Sequence, residues 1–131
     1  MKRAFAVIAL AVMVLGVSCG KSGTGPVAGN LLVQLTSPNS GADSAIVFTI
    51  NSPAPLTNAT AGAGLRVFAQ PLGTSTRFVL IGRLTTATTI LTIGVANVNA
   101  ASQYSGTIQG VAQPNYALRA LPGGYALTFS H

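Results

Sequence analysis

The chain has 131 residues, 49% of them hydrophobic and only 6% charged, with seven basic residues set against one acid, Asp43, and one histidine, His131. Average globular sequences carry about 25% charged residues, so the polar surface here falls to Thr, Ser, Asn and Gln. Paired-carboxylate hydrolysis needs two acids, a Ser–His–acid triad would have to recruit the terminal His131, and metal sites want convergent Cys, His or carboxylates. An enzyme is therefore not expected, and no catalytic residue, metal site or cofactor is assigned.

Reading from the N-terminus, Lys2 and Arg3 precede an apolar run from Ala4 to Val17, then the small-residue site Gly16-Val17-Ser18 and Cys19. As a helix the run would span only about 21 Å, short of the roughly 30 Å bilayer core, which fits a secretion signal better than a membrane span. The segment Leu15-Gly16-Val17-Ser18-Cys19 resembles a bacterial lipoprotein signal, in which aliphatic and small residues lead to a cysteine that is acylated; Gly16 stands where leucine is usual. The resemblance implies cleavage after Ser18 and lipidation of Cys19. Gly20, in place of an aspartate, implies the outer membrane within a cell envelope. A free cysteine in an ordinary secretory leader is the competing reading, and an intrachain disulfide is excluded because Cys19 is the only cysteine.

Cleavage leaves about 113 residues, one domain's length, and lowers the formal charge from +6 to +4 by removing Lys2 and Arg3. The remaining arginines, Arg66, Arg77, Arg83 and Arg119, are scattered singly with no interleaved aromatics, so nucleic acid is not an expected partner. The organisation read from the sequence is a signal peptide over 1–18, a lipidated cysteine and linker over 19–29, and a folded domain over 30–131. The stretch Gly20-Lys21-Ser22-Gly23-Thr24-Gly25-Pro26 has linker composition. It does not complete a phosphate-binding loop, because Leu15 stands where that motif requires glycine.

Beyond Asn30, short runs rich in Val, Ile, Thr, Phe and Tyr alternate with Gly, Pro, Asn and Ser clusters, and no helix-period stretch stands out. Strands are predicted over 31–36 and 45–51, with Ile46, Phe48 and Ile50 sharing a face and a turn-rich loop from Ser37 to Asp43 between them. Pro53 and Pro55 open a connection between sheets that runs to Gly64. Further strands are predicted over 65–70, 76–83, 88–95 and 104–111. The echo of Tyr116-Ala117-Leu118 in Tyr125-Ala126-Leu127, with Pro122-Gly123-Gly124 between, predicts a terminal hairpin.

Seven or eight short strands without helices predict an all-β fold, a small antiparallel β-sandwich, immunoglobulin-like or cohesin-like. The segment order, with Ile90 to Val95 followed by Asn97-Val98-Asn99 and a Tyr-containing strand, loosely resembles cohesin-like and related carbohydrate-binding sandwiches of extracellular bacterial proteins. Tyr104 and Tyr116 are accordingly candidate ligand-binding residues, set against a core or rim role. Asp43 reads as a turn residue. Arg66, Arg77 and Arg83 read as charges that keep strand edges apart, in preference to an anionic-ligand patch. The functional expectation is a non-catalytic, lipid-anchored envelope protein that meets an envelope protein or polysaccharide; the alternative is a surface carbohydrate-binding module.

Overall fold

The computed structural model of the chain describes residues 25–121 and 123–131. Its strands are β1 (Gly29–Thr36), β2 (Asp43–Asn51), β3 (Asn58–Ala61), β4 (Arg66–Pro71), β5 (Ser75–Leu84), β6 (Thr89–Val95), β7 (Ser105–Ala112) and β8 (Ala126–Ser130). They form two four-stranded antiparallel sheets, ordered β3-β6-β1-β8 and β4-β5-β2-β7. Only β4 and β5 follow one another within a sheet; every other connection passes from one layer to the other.

Period-two alternation explains why the layers close on each other. Leu31, Val33 and Leu35 of β1 and Leu91, Ile93 and Val95 of β6 are at most 1% exposed, and across the layer Ile46, Phe48, Ile50, Phe78 and Leu80 are fully buried. Phe48 and Phe78, directly paired between β2 and β5, hold their ring centroids 5.6 Å apart at a 33° tilt. Leu127 and Phe129 of β8 complete the seam, with Phe129 packed against Tyr104 at 6.5 Å. All eight strands, between Gly29 and Ser130, contribute buried or half-buried side chains to this one core.

Three segments differ from their sequence reading. Within the predicted connection, Asn58–Ala61 is a strand paired to β6. Its inward residues Ala59 and Ala61 are too small to give an apolar signal, and β6 supplies the ladder. The segment after Ala96, within a stretch that shows no helix period, winds into a 3-10 helix at Val98–Gln103. Asn97 caps it, its side chain accepting from the amides of Asn99 at 3.1 Å and Val27 at 3.2 Å, so polar residues rather than an apolar stripe define the turn.

The terminal hairpin does not form. Tyr116 adopts φ +67, a conformation no strand residue holds, and its amide bonds back to the Gln113 carbonyl at 2.9 Å. A tight loop through Pro114 and Asn115 results, closed by an isolated bridge between Ala112 and Leu118, while only the second echo leads into a strand, β8. Pro122 of the predicted turn lies outside the described residues.

Truncating Phe48 to Ala empties the site of one of the two largest fully buried side chains, and a cost of about 3–5 kcal/mol is expected. Urea unfolding followed by tyrosine fluorescence should show a lower midpoint with an unchanged slope.

Candidate functional site

The chain's only acidic side chain sits at the end of the sandwich where β1 hands over to β2. Asp43 is 1% exposed. One oxygen, Oδ1, accepts from Arg119 Nε at 2.8 Å, and the other, Oδ2, accepts from the Tyr125 hydroxyl at 2.7 Å and the Ser37 hydroxyl at 3.1 Å. The cluster extends outward: Asn39 Nδ2 donates to the Tyr125 oxygen at 2.9 Å, the Asn39 amide donates to Ser37 Oγ at 3.0 Å, and an Arg119 terminal nitrogen donates to the Ala42 carbonyl at 3.0 Å. Asp43 is thus a buried node and the first residue of β2, not a turn residue.

A carboxylate stripped of water needs donors to replace it, and here three arrive from separate segments. Arg119 is placed by its own backbone, whose amide bonds to the Val111 carbonyl at 2.8 Å on the free side of β7. Tyr125 is placed by the start of β8, where Ala126 pairs with Thr36. Both oxygens of Asp43 are engaged, so the group is built to fasten segments together. Sequence reasoning missed this role because Ser37, Asp43, Arg119 and Tyr125 are spread over almost 90 positions; the one available signal was that a single acid in so apolar a chain needs a partner.

The candidate ligand residues separate. Tyr104 is 5% exposed and lies in the core, where burial pushes its phenol above the usual tyrosine value. Tyr116 is 87% exposed at the tip of its loop. With Tyr125 committed to Asp43, the tyrosines do not share a binding platform. Cys19, the candidate lipidation site, lies outside the described residues.

Among the concavities that the described residues form, three stand out. A cleft of about 580 Å³ opens between β7 and β8, bordered by Gly106, Ile108, Leu121 and Leu127. A smaller one of about 190 Å³ lies between β3 and β4 around Leu56, Asn58 and Pro71. The third, about 550 Å³, runs over Ala45, Ile81, Gly82 and Ala112, with Arg83 and Tyr116 among its walls and Asp43 lining it.

Arg66 is on edge strand β4, Arg83 lies in β5 past the end of its pairing with β4 at Ile81, and Arg77 is flanked by β4 and β2. No family model, curated protein or solved structure matches the chain.

Two outcomes follow from this geometry. Arg119→Gln leaves a buried carboxylate without its cation and should cost about 3 kcal/mol, while Tyr125→Phe should cost about 1–2 kcal/mol. In a double-mutant cycle read by denaturant unfolding, the pair should couple by about 1 kcal/mol because both act through Asp43. The raised Tyr104 pKa means that the folded state holds this proton more tightly than the unfolded chain. Its contribution to stability is complete below about pH 10 and fades as pH rises through the folded value. Tyr104→Phe should flatten that alkaline decline in a pH series of unfolding midpoints.

Proposed function

We propose that the protein is a non-catalytic, lipid-anchored component of a bacterial cell envelope whose sandwich acts as an interaction or structural module. The observation that carries the reading is the leader ending at Cys19, ten residues ahead of Gly29, where β1 begins. Ten residues reach at most about 36 Å, so an acylated Cys19 keeps the domain within that distance of the bilayer. Two or more acyl chains, each methylene contributing about 0.8 kcal/mol, make such an anchor stable where one chain does not.

The commitment of Asp43 to the Ser37–Tyr125–Arg119 cluster supports the non-catalytic part, because the one carboxylate is engaged in fastening the fold. The mechanism is display: a short tether holds a rigid surface at high local concentration, and affinity for a partner is multiplied without new contacts.

Intact mass of the protein extracted from bacterial membranes should show loss of residues 1–18 and a diacylglyceryl-modified Cys19. Cys19→Ser should abolish the added mass and move the protein out of the detergent phase. An unmodified thiol on the native protein, or membrane partitioning untouched by Cys19→Ser, overturns the reading.

A further inference from the structure

The two outer faces of the sandwich differ in chemistry. On the β3-β6-β1-β8 sheet the outward positions are mainly polar and uncharged, among them Asn58, Thr60, Thr92, Gln34 and Thr128. On the β4-β5-β2-β7 sheet, register places apolar residues in two adjacent rows. One row runs Phe68, Val79, Val47, Gly110, and the next Ile81, Ala45, Ala112, Leu118. Phe68 is 52% exposed, Ile81 45% and Leu118 77%, and Tyr116 stands at the rim.

Arginines frame this band. Arg66 is paired with Ile81 and holds its guanidinium 6.0 Å from the Phe68 ring centroid. Arg77 is the outward neighbour of Val79 in β5, paired with Thr49 and Gln70. Arg83 walls the groove that Ile81, Ala45, Ala112 and Tyr116 share. Arg119, the fourth arginine of the described residues, is already neutralised by Asp43. Every other described cation therefore borders one face. The chain's single acid is buried, so no carboxylate side chain answers them at the surface.

We propose that this face docks on an anionic lipid bilayer, the arginines at headgroup phosphates and Phe68, Ile81, Leu118 and Tyr116 at the boundary with the acyl chains. Charge selects an anionic partner. The apolar band selects a lipid surface, where exposed hydrocarbon side chains leave water, over a fully hydrated polyanion. A second copy of the same face is disfavoured, since two identical sets of arginines would be brought together. Tyr116 fits this use: the turn through Pro114 and Asn115 carries its bulky side chain out to 87% exposure at the rim of the band. The proposal rests on the envelope reading only for bringing a membrane within reach.

The test uses the chain from Gly20 to His131, which retains the whole sandwich and has neither leader nor Cys19, so acylation plays no part. Co-sedimentation is measured with phosphatidylcholine vesicles containing or lacking phosphatidylglycerol. Binding to the anionic vesicles alone is expected, falling with added salt. It should drop by at least about tenfold in R66Q/R77Q/R83Q, given roughly fivefold per arginine near an anionic surface. F68S/I81S should weaken it too, with thermal unfolding confirming that the variants fold. Equal binding to neutral vesicles, no binding to either, or affinity unchanged in the triple variant overturns the proposal. So does tighter binding to dextran sulfate that F68S/I81S leaves untouched, which makes the partner a polyanion. Failure here leaves the mass measurement on Cys19 unaffected, so the two readings fall separately.

Discussion

A carboxylate that loses its water on folding must recover equivalent hydrogen bonds from the protein, and Asp43 recovers them from Ser37, Tyr125 and Arg119. The consequence is architectural. Ser37 directly follows β1, Asp43 begins β2, Arg119 follows the loop beside β7, and Tyr125 introduces β8. Two of these strands belong to one sheet and two to the other, so a single charged group fixes how the layers meet at that end. Removing any donor weakens the remainder, because the carboxylate cannot return to solvent without opening the corner. The opposite end is secured differently, by the Asn97-capped turn, whose side chain gathers the amides of Val27 and Asn99.

The topology makes such fastening necessary. A meander of hairpins keeps sequence neighbours side by side, whereas here only β4 and β5 do so and the remaining neighbours face each other across the core. Most contacts are consequently long-range in sequence. Layer-to-layer packing of Leu, Ile and Phe supplies the driving force but is non-directional. The hydrogen-bonded ends supply the register that apolar contact alone leaves loose.

Much of this was legible in the residues. Alternation at Ile46, Phe48 and Ile50 identified a strand and its buried face, and six of the eight strands fall where β-branched runs lie between turn clusters. The all-β sandwich follows from that pattern. Segments governed by context stayed hidden. Asn58–Ala61 is a strand because β6 offers an unpaired edge, and Tyr116 leaves the strand region because Pro114 and Asn115 turn the chain before it. The chemistry of the surface was less legible still. Linear spacing scatters Arg66, Arg77 and Arg83 over eighteen positions, and only antiparallel register between β4 and β5 gathers them around one band. Likewise, the tyrosines look equivalent in sequence, yet one is core, one is a ligand to a carboxylate and one is solvent-facing.

Enclosing the lone acid has an effect on how the molecule meets a changing environment. Guanidinium groups stay protonated across the whole range in which cells live. The described surface carries no carboxylate side chain to offset them, because Asp43 is 1% exposed. The solvent-facing side-chain charge of the described domain is therefore of one sign, and copies of the domain repel one another more strongly the lower the ionic strength.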